Sequence, residues 1–149
     1  MITTETTVSF DDSALRLLNV KPEQTLFFDI ETTGFRASAS HLYLIGAAWK
    51  SPDMPGKWII RQMLSEYPQS EASLLRSFCD IAGSYKTLVH FNGNRFDIPY
   101  MQEKYENFGI SDPFHAMDSV DLYAMLRPYK DALGMDHLNQ RSVEEFLRL

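Results

Sequence analysis

The chain has 149 residues, 44% of them hydrophobic and 13% aromatic, with a formal net charge of −6. That length and apolar content specify one packed domain, able to bury about two-thirds of its unfolded surface, and exclude a disordered tail. The acidic balance excludes tight, metal-free binding to phosphate backbones, where cationic side chains supply most of the affinity, but not chemistry in which a bound cation cancels part of the negative charge.

In chain order, residues 1–20 read as an N-terminal arm, with Asp12 or Ser13 able to cap a short helix through Leu15, Leu17 and Leu18. This start lacks a positive and an apolar leader region, and no apolar run approaches the ~18–20 residues of a membrane span. The expectation is a cytoplasmic protein with no membrane partner. After Lys21-Pro22 a first strand covers 25–32, a small polar turn follows, and His41 to Trp49 reads as a second strand. Ser51 to Gly56 is a turn and Lys57 to Leu64 a third strand, which suggests an antiparallel meander.

The period then changes. Leu74, Leu75, Phe78, Ile81 and Ala82 mark an amphipathic helix of about 12 residues starting near Ser70. Cys79, the lone cysteine, lies on its apolar side as a small core residue; a disulfide within the chain and a multi-cysteine zinc cage are excluded. Lys86 to Asn92 is a fourth strand, and Ile98, Met101, Tyr105 and Phe108 mark a second helix ended by Gly109. A fifth strand at Ala116–Val120 leads to a helix from Asp121 or Leu122 that Pro128 limits, and a last helix carries Leu138, Val143, Phe146 and Leu147. The order βββ-α-β-α-β-α is that of an α/β protein with a mixed sheet and flanking helices. Such sheets place ligands beyond strand ends, where βα turns gather.

Two stretches carry chemistry. In Leu26-Phe27-Phe28-Asp29-Ile30-Glu31-Thr32-Thr33-Gly34, the strand period of two puts Asp29 and Glu31 on one face, their Cβ atoms roughly 7 Å apart. Two acids on one face repel and are costly to desolvate unless a cation sits between them. Oxygen ligands suit Mg²⁺ or Mn²⁺ better than zinc. The plain alternative is a strand whose acidic face is wet; against it, Phe27 shares that face, so the strand is apolar on both sides, as central strands are. The second stretch is His90-Phe91-Asn92-Gly93-Asn94-Arg95-Phe96-Asp97-Ile98-Pro99, which turns a strand into a helix. Asp97 is placed either as the helix N-cap, with Pro99 in the first turn, or as a third carboxylate at the rim of the sheet. His41, His90, His115 and His137 have no metal-ligand spacing.

Phe28 to Gly34 resembles the first motif of the RNase H-like, DnaQ-type 3′→5′ exonucleases, and Asn92-Gly93 with Phe96-Asp97 resembles their second. Together with His41-Leu42-Tyr43-Leu44-Ile45-Gly46 the pattern is similar to the YprB-like branch of predicted exonucleases, over roughly residues 24–147. The resemblance implies an RNase H-like domain over 21–149 and a two-metal site for Mg²⁺ or Mn²⁺, in which Asp29 bridges both ions. Glu31 would hold one and help orient the attacking water, and Asp97 would hold the other. It also implies that Thr32, Thr33, Asn92 and Phe96 line a groove for single-stranded or frayed nucleic acid ends, whose phosphodiester bonds would be hydrolysed in line.

The chain departs from that pattern at its C-terminal motif. The family's fourth acid follows a tyrosine by four or a histidine by five positions, and no aspartate here does. Asp121 reads instead as a helix cap, and Glu144 and Glu145 as a solvated face. The expectation is a domain short of its C-terminal catalytic helix, holding its second metal weakly, and therefore a poor nuclease or an inactive one. The competing reading is a non-catalytic module of the same fold that binds nucleic acid or protein. A haloacid dehalogenase-type phosphatase fits poorly, because Glu31 stands where its second aspartate belongs.

Overall fold

A computed structural model describes residues 1–148. Six strands, β1 (Ile2–Ser9), β2 (Thr25–Thr32), β3 (Leu42–Lys50), β4 (Lys57–Leu64), β5 (Thr87–His90) and β6 (Asp118–Asp121), form one sheet in the order β1-β4-β3-β2-β5-β6. Four helices, α1 (Glu71–Ala82), α2 (Asp97–Asn107), α3 (Leu122–Leu126) and α4 (Gln140–Leu147), flank it. β2, β3 and β4 make the antiparallel meander, while β5 and β6 run parallel to β2. The expected mixed sheet with flanking helices is therefore present. No helix of the described residues is long and apolar enough to cross a membrane.

The alternation in β2 decides what lies on each side. Leu26, Phe28 and Ile30 point into the core, against Leu74, Leu75 and Phe78 of α1 and Met101 and Tyr105 of α2. Phe27, Asp29 and Glu31 occupy the opposite face. β2 is central, as its apolar residues require, yet its acidic face is open rather than sealed. Residues 2–9, which the sequence places in an arm, instead form the edge strand β1, paired with β4 over its whole length. A 3₁₀ turn, Asp12–Leu18, follows and buries Leu15.

Behind β2 the chain makes a loop, residues 33–41, anchored by a buried ion pair. Lys104 Nζ lies 2.8 Å from Glu71 Oε1 and donates to the Ser40 carbonyl at 2.6 Å. The same Glu71 oxygen accepts from the Leu42 N–H at 2.8 Å. Two charges taken out of water are tolerated because each is also hydrogen-bonded to backbone. The loop is thereby fixed to both helices that cover the core.

Candidate metal and nucleic-acid site

Asp29 and Glu31 stand near the end of β2, and both reach solvent. Opposite Asp29 in β3 is Gly46, and opposite Phe27 is Ala48, so the sheet has little side-chain volume there. The hollow this leaves is a cleft of about 530 Å³, lined by Asp29, Glu31, Leu44, Phe91 and, from the far side, Val143 and Glu144 of α4. Register shifts between Glu31 and Thr32: Thr32 pairs with Leu42, so Tyr43 is skipped and its carbonyl accepts from Ser65 N–H at 2.7 Å instead. A bulge at this point ends regular pairing directly after the two acids.

Asp97 arrives from the β5–α2 turn. It is the first residue of α2, and Phe96, not Asp97, takes the N-cap position, so the capping role read from the sequence is corrected. Its Oδ1 accepts the Ile30 N–H of β2 at 3.3 Å, and its own backbone N–H also favours the carboxylate. A long-range amide from β2 thus joins the Asp97 N–H as a partner of the carboxylate, in place of a cap on the first helical turn. Burial, then the charge of Asp29, pushes Asp97 up from 3.8 to about 6. Asp29 is raised by desolvation and then by Glu31. Asp97 therefore feels the charge of Asp29, and Asp29 that of Glu31. Among the described residues, no three His, Cys, Asp or Glu side chains converge into a ready-made cage. The donor set is all oxygen and short of positive charge, which fits a hard divalent cation.

The other residues singled out from the sequence are divided. Thr32 Oγ1 donates to the Gly34 carbonyl at 2.9 Å, and Thr33 Oγ1 accepts from His41 N–H at 2.9 Å, so both hydroxyls help close the loop 33–41. Asn92 adopts the left-handed conformation, φ 61°, and its buried Oδ1 has no hydrogen-bond partner among the described residues. Phe96 packs edge-on against Phe35, ring centroids 6.0 Å apart, and at a tilt against Tyr100 at 5.5 Å. Phe35, 91% exposed, is a site residue that the sequence reading misses; an aromatic three residues past the end of the acidic strand is its signal. Asp121 does cap α3, accepting from Tyr123 and Ala124 N–H.

A family model described as RNase_H superfamily matches residues 26–149. Among solved structures, the family B DNA polymerase from the hyperthermophilic archaeon Pyrobaculum calidifontis superimposes with a TM-score of 0.58 at 20% identity, over 73% of this chain and 16% of the polymerase. An exonuclease I structure gives a TM-score of 0.55 at 14% identity, over 71% of this chain and 29% of that one. E. coli exonuclease I in complex with a dT13 oligonucleotide gives 0.51 at 16% identity, over 77% and 31%. The chain therefore spans less than a third of each of these proteins, and the likeness is one of fold. No curated protein matches it in sequence. Since the family model covers both acidic motifs and the whole sheet from β2 onward, the chain belongs to the RNase H superfamily.

Proposed function

We propose that this domain, short of the fourth acid, weakly hydrolyses phosphodiester bonds at single-stranded or frayed nucleic acid ends, in the 3′→5′ direction, with Mg²⁺ or Mn²⁺. The observation that carries this is the carboxylate of Asp97, brought across to the Ile30 amide and held beside Asp29 at a pKa of about 6. Carboxylates that disfavour one another's ionised form are stabilised by a cation, and Asp29, Glu31 and Asp97 are the residues that would hold it. Bound divalent cations would stabilise the attacking and leaving oxygens of an in-line displacement. Phe96, packed edge-on against the exposed Phe35, supplies with it an aromatic contact for a strand end, and Asn92 would add a polar one by turning its buried Oδ1 outward. Aromatic faces accept any base, which suits an end-processing enzyme without sequence preference. The solved structure of exonuclease I with an oligonucleotide agrees with this substrate class.

A second reading, a non-catalytic module, is favoured by the net charge of −6, which opposes phosphate binding wherever cations are scarce. The two are separated by incubating an end-labelled oligonucleotide with Mn²⁺ and the wild type, Asp29→Asn or Asp97→Asn. Progressive shortening from the 3′ end that both substitutions abolish supports the nuclease. Binding without shortening supports the module. In parallel, Mn²⁺ should raise the melting temperature by mass action, and an equal rise in Asp29→Asn would place the cation elsewhere.

A further inference from the structure

Asp121 ends β6, beside His90 of β5, and is buried. Its Oδ1 accepts three backbone donors. Tyr123 and Ala124 N–H, at 3.0 and 3.4 Å, belong to the first turn of α3 and make a helix cap. The third and shortest bond, 2.8 Å, comes from Asn92 N–H in the β5–α2 turn, which α3 does not need. The next two residues of that turn are held as well. Gly93 N–H donates to His90 Nδ1 at 3.0 Å, so the ring's proton sits on Nε2, which meets Ser119 Oγ at 2.7 Å. Ser119 Oγ in turn donates to Asn94 Oδ1 at 2.7 Å.

The ends of β5 and β6 therefore hold positions 92, 93 and 94 by side chains. From there the path to the acid is short. Arg95 N–H bonds the Asn92 carbonyl, Ile98 N–H bonds the Gly93 carbonyl at 2.9 Å, and between them α2 begins at Asp97 with its carboxylate on β2. A turn with one residue at positive φ and a glycine is mobile by composition. Its grip on Asp121 removes that freedom at the residue where the turn departs from the strand.

We infer that Asp121 is a positioning residue for cation binding: by holding the Asn92 amide through Oδ1, it fixes where the Asp97 carboxylate meets β2. It does so without contacting the cation. This rests on the metal site proposed above. Partners that orient ligands from outside the site are worth about 10–100-fold in metal affinity.

Three variants of the full chain isolate the grip. Asp121→Asn keeps Oδ1 and should keep Mn²⁺ affinity. Asp121→Ser remains a good N-cap for α3 but its shorter side chain falls short of Asn92, so Mn²⁺ affinity by calorimetry should drop about 10–100-fold. Asp97→Asn is the comparison for a lost ligand. The second readout is the Ile30 amide resonance without metal, which should move in Asp121→Ser and stay in Asp121→Asn. If Asp121→Asn loses as much affinity as Asp97→Asn, Asp121 is itself a ligand and the inference falls. If Asp121→Ser binds Mn²⁺ as the wild type does and leaves the Ile30 resonance in place, Asp121 is a helix cap alone. If the wild type binds no Mn²⁺, the metal site fails. A shifted Ile30 resonance in Asp121→Ser would then still establish the positioning of Asp97, and an unshifted one would overturn it.

Discussion

Removing the negative charge of Asp97 should stabilise the metal-free protein, and increasingly so as pH rises. Asp97 titrates near 3.8 when unfolded and at about 6 when folded, because burial and Asp29 disfavour its ionised form. The sign follows from proton binding: between those two values the folded state holds more protons than the unfolded state, so stability falls as pH rises. The penalty is absent below pH ~4, builds up between pH ~4 and ~6, and is complete above that. At 1.36 kcal/mol per pH unit the gap amounts to about 3 kcal/mol. Asp97→Asn keeps an oxygen for the Ile30 amide and has nothing to ionise, so it should match the wild type near pH 4 and exceed it by up to about 3 kcal/mol at pH 8. With a urea m-value of about 1–3 kcal/mol/M, the midpoint should move by about 1–3 M at pH 8. The assay is urea unfolding in EDTA across this pH range, with both proteins in the same buffers. A constant difference between the two at all pH values would refute the reasoning, because it would show that Asp97 ionises in the fold as freely as in the unfolded chain. Mn²⁺ at pH 8 should then close the gap by stabilising the wild type alone.

Lys104→Met should destabilise the domain by about 3–5 kcal/mol, because it leaves the buried Glu71 carboxylate without its lysine partner; combining it with Glu71→Gln should restore part of that, and a loss below about 1 kcal/mol in urea unfolding would show that water or His41, 3.8 Å away, compensates Glu71. Gly93→Ala would put a Cβ 2.6 Å from His90 Nδ1, inside contact distance of a buried ring, so a cost of about 1–3 kcal/mol is expected. Thermal unfolding would register it at about 2–4 °C per kcal/mol, and an unchanged midpoint would mean that the turn relaxes freely.

The sequence by itself determined the parts that depend on near neighbours. The period of two over Thr25–Thr32 set the strand, its core face and the shared face of Asp29 and Glu31; the turn chemistry of Pro52, Pro55 and Gly56 placed β4 at Lys57–Leu64; and the 3.6-residue spacing from Leu74 to Ala82 gave α1 its buried side. Each of these is a preference that a few adjacent residues express wherever they are. Tertiary structure decided the rest. Asp97 had two outlets for its carboxylate, a cap on its own helix or a distant amide, and only the arrival of Ile30, 67 positions away, settled which one it took. Ile2–Ser9 is exposed almost throughout and carries no buried stripe, so its pairing came from the open edge of β4 and left no periodic trace in the chain. Asp121 was legible as a cap because Tyr123 and Ala124 follow it directly. Its hold on Asn92 was not, because β5 and β6 come together only when both have docked in register, and a hydrogen bond between their ends is a consequence of that docking.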